Sequence, residues 1–202
     1  KNESSCTLEC LKEIENAFNL YLPPEDVAAV FFEPIAGDSG IIVPPKKYVQ
    51  ALFSLCQKYN ILFVVDEIQQ AWGRSGKFFS IEHFDIEPDL IVMGKASGGG
   101  LPMGIVMGKT PIMDSLDAPA HVFTMSGNST VCVAALKMLE IFERENLVEK
   151  SRIKGDYFKN KLLSLKSKYS IIKDVRGMGL SIGVDLDNKT STTKVIYYCQ
   201  QH

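Results

Sequence analysis

The sequence predicts an α/β fold in which helices cover both faces of a mainly parallel sheet. Strand-like and helix-like segments alternate along the chain. The strand-like segments are continuous apolar runs, such as "ILFVVDE" at 61–67, and do not alternate apolar with polar residues. Continuous apolar strands are typical of parallel sheets, which are buried on both faces. In such sheets a ligand binds beyond the carboxyl ends of the strands.

The individual elements follow from apolar periodicity and turn residues. A helical stripe comes first and ends before the prolines at 23–24. A short strand at 27–34, a loop rich in glycine and proline, and an amphipathic helix from about 45 to 60 come next. The remaining elements are strands at 61–67, 89–94 and 104–108, a helix at 131–145 capped by Ser129 or Thr130, and a helix at 147–168.

The pattern changes after about residue 168, which predicts a domain boundary there. The segment 169–186 has two apolar runs around a glycine-rich turn, and the last residues, "KVIYYCQQH", resemble an amphipathic helix. We therefore assign residues 1–168 to part of a large domain and residues 169–202 to the start of a small, truncated C-terminal domain. The chain is expected to be a central fragment of a longer protein.

Composition excludes several classes of protein. The chain has 202 residues, 46% of them hydrophobic, and its formal net charge of −2 gives no sign of a nucleic-acid partner. No apolar run approaches the 18 or more residues of a membrane span, so none is expected. Its five cysteines are scattered and odd in number, which predicts reduced thiols and a cytoplasmic location. The three histidines, including His83 and His121, are too dispersed to predict a metal site, and we assign them no role.

Three of the predicted strands end in groups that can do chemistry: Glu33, the pair Asp66 and Glu67, and Lys95. Lys95 follows an apolar strand and precedes a run of small residues, "ASGGG". We expect this lysine to be buried, because burial keeps an amine neutral, and a neutral amine condenses with an aldehyde. A lysine-bound aldehyde cofactor with an acid near its ring nitrogen describes pyridoxal 5′-phosphate (PLP), and Asp66 is the candidate acid.

A nucleoside triphosphatase is an alternative interpretation of the acidic strand end, where an aspartate would serve Mg²⁺. That interpretation needs a phosphate loop of the form G-x-x-x-x-G-K-[ST]. The nearest segment, "GRSGKFF" at 73–79, lacks the first glycine and has Phe78 where serine or threonine is required. The sequence therefore disfavours an ATPase, and a non-catalytic binding fragment is the other alternative outside PLP chemistry.

Five segments resemble the class III family of PLP-dependent aminotransferases, which have fold type I. They are "FFEPIAGDSG", "VVDEIQQAWGRSGKFF", "PDLIVMGKASGGGLPMG", "FTMSGNST" and "DVRGMGLSIGVDL", in the family's order and at about its spacing. The resemblance implies an enzyme that moves an amino group from an amino acid or an ω-amine, such as 4-aminobutyrate, to a 2-oxo acid. It also implies a homodimer or a dimer of dimers. This fragment alone is expected to be inactive.

The resemblance implies four roles around the cofactor ring. Lys95 would bind the aldehyde and move the proton between the substrate and the cofactor. Asp66 would pair with the ring nitrogen. Ile68 would press on one face of the ring, and Gln69 would donate a hydrogen bond to its phenolic oxygen.

Further roles are implied at the edges of the site. Thr124 would reach the PLP phosphate of the neighbouring subunit, and residues 98–100 would clear space for the cofactor. Glu33 would line the site, although a local role as a cap or an ion-pair partner is equally open. Arg74 and Arg176 match arginines of the family, and we expect them to be structural and not substrate-binding.

One departure from the aminotransferase pattern favours a different reaction. The family often has Glu-Pro-x-Gln-Gly-Glu, whereas this chain has Ala36 at the fourth position and Asp38 at the sixth. Amino-acid racemases and 2-epimerases of the same family resemble the chain here. Inversion needs two bases, one on each side of the α-carbon, and Asp38 could act opposite Lys95. An aminotransferase is the first expectation and a racemase or 2-epimerase is the alternative.

Overall fold

The strands of the larger sheet follow one another in space as they do in sequence. The computed structural model describes residues 5–120 and 122–202. The sheet has the order β1-β2-β3-β4, with β1 at Ala29–Phe32, β2 at Leu62–Asp66, β3 at Leu90–Met93 and β4 at Ile105–Gly108. The first three strands are parallel, and β4 runs antiparallel to β3. The predicted, mainly parallel α/β architecture is confirmed.

Five of the six α-helices in the described residues lie close to their predicted positions, and the short helix at Thr110–Met113 was not predicted. Their bounds are Glu9–Leu20 (α1), Lys46–Lys58 (α2), Thr110–Met113 (α3), Ser129–Arg144 (α4), Leu147–Lys166 (α5) and Lys189–Gln201 (α6). The predicted cap of α4 is wrong, because the side chain of Asn128 accepts hydrogen bonds from the backbone N–H groups of Thr130 and Val131. Across the residues that the structure covers, no helix is both long and apolar enough to cross a bilayer.

A separate two-stranded antiparallel sheet follows α5. Its strands, β5 (Ile172–Met178) and β6 (Ser181–Leu186), form the hairpin expected from the glycine-rich turn. The backbone of the turn approaches α5 so closely that a Cβ atom at Gly155 would lie 2.0 Å from the carbonyl oxygen of Gly179. Assignment of this hairpin to a second domain stays a prediction.

Strand β2 lies at the centre of the hydrophobic core. Phe63 and Val65 are fully buried between β1 and β3, and Phe63 packs edge-to-face on Phe53 of α2 at 5.5 Å between ring centroids. Val49 of α2 and Phe84 complete this layer. Burial of each such side chain stabilises the fold by about 2 kcal/mol. The core therefore holds β2 in place, together with the acidic residues that follow it.

One buried carboxylate ties three segments of the sheet together. Asp89, which immediately precedes β3, accepts a hydrogen bond from the backbone N–H of Phe63 at 2.8 Å. Its other oxygen accepts one from the ammonium group of Lys109, also at 2.8 Å. Its backbone N–H donates to the carbonyl oxygen of Phe63, and its carbonyl oxygen accepts from the backbone N–H of Lys109.

Replacing Asp89 with alanine is expected to lower the free energy of unfolding by about 2 kcal/mol or more, because a buried backbone N–H loses its acceptor. Glu140→Ala, which removes an exposed ion pair with Lys137, should have a much smaller effect. Chemical denaturation of the full-length variants measures both. Equal effects of the two substitutions would contradict the role assigned to Asp89.

Candidate active site

The carboxyl ends of the three parallel strands meet at one edge of the sheet. Asp66 is the last residue of β2 and pairs in register with Val92 of β3. Glu33 follows β1, and Lys95 lies three residues beyond Val92. The structure thus places all three strand-end groups at the same edge, as the sequence pattern predicts.

Lys95 is exposed, which contradicts the expectation of a buried amine. The chain leaves β3 through Gly94 and turns into a short 3₁₀ helix at Lys95–Gly98, so the lysine lies beyond the edge of the sheet and outside its core. The buried Ser97 holds this turn: its hydroxyl donates to the carbonyl oxygen of Gly94 at 2.9 Å and accepts from the indole N–H of Trp72 at 3.0 Å. Lys95 has a φ of 47°, a strained conformation for a residue with a side chain.

Asp66 has one carboxylate oxygen in use and one open. Its Oδ1 accepts a hydrogen bond from the backbone N–H of Ile68 at 2.9 Å, which fixes the start of the turn after β2. Its Oδ2 accepts no hydrogen bond from any residue in the described ranges. The open oxygen is free to accept a proton donor such as a ring N–H.

The loop after β1 packs against the turn after β2. The side-chain amide of Gln69 lies 3.5 Å from Oδ1 of Asp38, at the limit of a hydrogen bond. Gly37 is required for this approach, because a Cβ atom there would lie 1.5 Å from Oε1 of Gln69. Glu33 accepts a hydrogen bond from the backbone N–H of Gly37 at 2.9 Å, a local role within the loop that is neither the cap nor the ion pair left open by the sequence.

A cavity of about 320 Å³ brings together part of the predicted site. Lys95, Ile68 and Gln69 all line it. The lining does not include four other predicted site residues: Asp66, Asp38, Glu33 and Thr124. Two of them still contact the lining: Asp66 accepts a hydrogen bond from Ile68, and Asp38 lies 3.5 Å from the amide of Gln69.

Thr124 is exposed and lies in a different part of the surface. The residues around it, at 123 and 125–128, line a second cavity of about 260 Å³ with residues 102–104. Contact of Thr124 with a cofactor in a neighbouring subunit stays a prediction.

The glycines after Lys95 serve packing as well as conformation. A Cβ at Gly99 would lie 3.2 Å from the carbonyl oxygen of Ala134 in α4, and one at Gly98 would lie 3.1 Å from Cβ of Met103. Only Gly100 has open space around it, and its φ of 103° requires glycine. Close packing therefore accounts for the first two glycines, and the expectation that all three make room for a ligand stays a prediction.

Arg176 is structural, as expected. Its guanidinium donates to the carbonyl oxygen of Gly40 at 2.9 Å and to the carboxylates of Asp174 and Asp185 at 3.0 and 2.7 Å.

The carbonyl oxygen of Arg74 accepts hydrogen bonds from Leu180 and Ser151. Its guanidinium, however, has no ion pair or hydrogen bond to any residue that the structure covers, so the structural role of Arg74 belongs to its main chain.

His83 has hydrogen-bond partners on the loop that contains Ser75. Nε2 of His83 lies 3.2 Å from both the carbonyl oxygen and the hydroxyl of Ser75. Burial lowers the pKa of His83. His121 lies outside the described residues.

Two buried polar residues in the turn after β2 were not predicted as site residues. Glu67 is fully buried; its Oε1 accepts hydrogen bonds from the hydroxyl of Ser80 and the backbone N–H of Ile81, both at 2.8 Å. Burial raises the pKa of Glu67 to about 7. Gln70 is also buried, and both atoms of its amide lack a partner among the described residues. The sequence signal that could have found Glu67 is its place in a polar pair directly after a continuous apolar strand. No sequence signal marks Gln70 as buried.

The family model for class-III aminotransferases matches residues 1–202. The chain belongs to the class-III aminotransferase family. It is 42% identical to an isoleucine 2-epimerase of Lentilactobacillus buchneri, over all of this chain and 47% of that protein. It is 43% identical to an ornithine aminotransferase of an Exiguobacterium species, over 80% of this chain and 40% of that one.

A solved structure shows the same fold with its cofactor. An amine transaminase from an uncultivated Pseudomonas species, in its PLP-bound form, superposes with a TM-score of 0.85 at 31% identity, over 94% of this chain and 44% of that one. The class-III chain is thus a fragment of fold type I. It spans less than half the length of the relatives it matches.

The cofactor of this family is PLP, and the residues present fit it. The sheet edge offers an accessible amine on Lys95, an open carboxylate oxygen on Asp66 and an amide on Gln69, with apolar surface from Ile68 beside them. An aldehyde, a ring N–H and a ring oxygen need these three kinds of polar partner.

Glu67→Gln is expected to change how stability depends on pH. In the folded state Glu67 has a pKa of about 7, against an ordinary value of 4.5. The stabilisation that comes from protonated Glu67 is therefore complete below pH 4.5 and is lost as the pH rises from 4.5 to about 7. Relative to the glutamine variant, the native protein should lose about 3 kcal/mol of unfolding free energy between these limits.

Denaturation of the full-length protein at a series of pH values measures this difference. The same substitution at exposed Glu87 controls for the removal of a carboxylate. A difference between native protein and Glu67→Gln that is constant with pH would show that Glu67 keeps its charge when buried.

Proposed function

We propose that the full-length protein is a PLP-dependent amino-acid racemase or 2-epimerase, in which Lys95 and Asp38 act as the two bases. The observation that carries the proposal is the contact of the Asp38 carboxylate with Gln69, whose side chain lines the cavity that also contains Lys95. Lys95 lines the cavity, and Asp38, on a separate loop, contacts a residue that lines it. Inversion at an α-carbon needs two bases, because the proton must leave on one side and return on the other.

Bound PLP would supply the electron-withdrawing ring that makes the α-proton of an amino acid acidic. Lys95 would hold the cofactor aldehyde through its amine and take the proton on one side of the α-carbon. Asp66 would accept the ring N–H on its open oxygen, and Gln69 would orient the ring through its phenolic oxygen. Ile68 would pack on the ring face and exclude water from it.

The sequence of the loop after β1 supports inversion over amino transfer. Its Ala36 and Asp38 replace the glutamine and glutamate that aminotransferases of the family often have. The isoleucine 2-epimerase relative, at 42% identity, aligns with the whole chain. An amino acid with an apolar side chain is the substrate class that we propose.

Transamination, the first expectation from the sequence, is the second candidate. Lys95 alone suffices for it, since amino transfer needs one base on one side of the substrate. Its substrates would be an amino acid or an ω-amine as donor and a 2-oxo acid as acceptor. Both candidates share Lys95, Asp66 and the cofactor, and they differ in the demand on Asp38.

We also propose that the protein works as a homodimer or a dimer of dimers in the cytoplasm. Large apolar side chains are exposed on β4 and in the loop that carries Thr124, including Val106, Met107, Phe123 and Met125. Apolar surface of this kind favours burial against another subunit. The five cysteines are free thiols, which suits a reducing compartment.

Lys95→Arg is expected to abolish covalent cofactor binding while retaining the positive charge. The full-length protein with added PLP should show an absorption band between the near-ultraviolet and the visible region, and borohydride should leave an adduct on the peptide that contains Lys95. The arginine variant should show neither, because a guanidinium does not condense with an aldehyde. If the native protein lacks the band, PLP chemistry is excluded for both candidates.

Asp38→Asn is expected to separate the two candidates. With one enantiomer of leucine in deuterated water and no 2-oxo acid, the native enzyme should lose optical rotation and incorporate deuterium. The variant should do so about 100-fold more slowly or worse, because one base is missing. Its rate of amino transfer to a 2-oxo acid should change far less.

Exposed Asp26→Asn is the matched control and should behave as the native enzyme. A native enzyme that turns over only when 2-oxoglutarate or pyruvate is present would refute the racemase proposal and establish transamination.

A further inference from the structure

The cavity beside Lys95 is built from four parts of the chain. The turn after β2 supplies residues 68–72 and Arg74, the start of the 3₁₀ helix supplies Lys95 and Ala96, and the β5–β6 hairpin supplies residues 180–182. Ile41, from the loop after β1, closes the remaining side. Its volume of about 320 Å³ lies at the lower end of the range for small-molecule sites.

Two buried side chains in this lining carry polar atoms without partners. Gln70 is 1% exposed, and neither its Nε2 nor its Oε1 forms a hydrogen bond within the described ranges. Ser181 is 3% exposed, and the same is true of its Oγ. A buried polar atom without a partner destabilises a fold by roughly 1 to 3 kcal/mol. A molecule bound in the cavity, or an ordered water beside it, would complete their hydrogen bonds.

The charges of the lining select the kind of molecule. Among the described residues of the lining, Arg74 and Lys95 alone are charged, and both are cations. The guanidinium of Arg74 has no partner among the residues that the structure describes, and the lining contains no acid. Three uncharged residues of the lining, Gln69, Gln70 and Ser181, can donate hydrogen bonds. In the holoenzyme the amine of Lys95 would be bound to the cofactor, so the guanidinium of Arg74 is the cation that favours an anion, and a carboxylate matches its planar shape.

The remaining walls are apolar. Ile41, Ile68, Trp72, Leu180 and Ile182 contribute hydrocarbon or aromatic surface. The cavity is therefore polar and cationic in one part and apolar in another. An aliphatic carboxylate has an anionic end and an apolar end, which match these two parts of the cavity.

Backbone strain is concentrated at this cavity. Ile41, Trp72 and Lys95 have φ values of 55°, 65° and 47°, and all three line it. They are three of the seven non-glycine residues with positive φ in the described part of the chain. A β-branched residue such as Ile41 is rarely found in this conformation, and strain of this kind collects at functional sites.

We propose that this cavity is the subsite for the carboxylate and apolar side chain of the amino-acid substrate. Arg74, Gln70 and Ser181 would donate hydrogen bonds to the carboxylate, and Ile41 and Leu180 would contact the side chain. The assignment rests on the proposed function for its substrate class, because Lys95 is the group that would react with the amino acid. It also revises the expectation that Arg74 has only a structural role.

The test measures binding without catalysis. The probe is 4-methylpentanoate, which has no amino group and cannot react, and its neutral counterpart is 4-methylpentanamide. Calorimetry on the full-length holoenzyme should give a dissociation constant about tenfold or more lower for the acid than for the amide. Arg74→Gln should remove this preference.

Gln70→Leu and Ser181→Ala separate binding from structure. Each should weaken binding of 4-methylpentanoate about fivefold to tenfold. Each should also leave the melting temperature unchanged or raise it, because an unpartnered buried polar group is replaced by an apolar one. The matched control is Arg144→Gln, at an exposed arginine that pairs with Glu145 and does not line the cavity, which should bind the probe as the native enzyme does.

Equal binding of the acid and the amide, or unchanged binding of the acid by Arg74→Gln, would overturn the proposal. The cofactor absorption band reports the proposed function separately. A protein with the band that inverts leucine but binds acid and amide equally refutes the subsite alone. A protein that prefers the acid but shows no band supports an anion subsite and refutes the PLP function.

Discussion

The register of β2 between its two parallel neighbours is the constraint on which the candidate site depends. Asp66 lies level with Val92, so the carboxylate and the turn that carries Lys95 leave the sheet at the same height. A shift of one residue would move every side chain of β2 to the opposite face. The buried Phe63 and Val65 prevent that shift, because both fill the core on one face of the strand, while Val64 is buried on the other face. Packing in the core thus determines the position of groups at the edge.

Much of the fold could be predicted because its signals are local. The continuous apolar run before Asp66 indicated a buried parallel strand, and the i, i+3, i+4, i+7 spacing of Val49, Leu52, Phe53 and Cys56 indicated α2. The convergence of Glu33, Asp66 and Lys95 at one edge followed from the rule that parallel strands end together. These inferences need only periodicity and the direction of the strands.

The failures concern properties that depend on backbone conformation in turns. Lys95 was expected to be buried, but a left-handed residue at the start of a 3₁₀ helix places it beyond the sheet. Gln69 and Gln70 are identical and adjacent, so composition could not show that only the second is buried, with an amide that has no partner in the described structure. The cap of α4 is Asn128 and neither of the hydroxyl residues that follow it, because the helix begins at Ser129, two residues before its predicted start at Val131.

The hydrogen bond from Arg176 to Gly40 has a consequence for the order in which the molecule assembles. The two residues are 136 positions apart, yet their contact fastens the hairpin beside the loop after β1. Contacts between such distant residues form late, since the entropy cost of closing a long loop comes before the contact can stabilise the fold. As the chain leaves the ribosome, the strand ends and Lys95 should therefore become ordered first. The cavity beside Lys95 should form only after the β5–β6 hairpin has been synthesised.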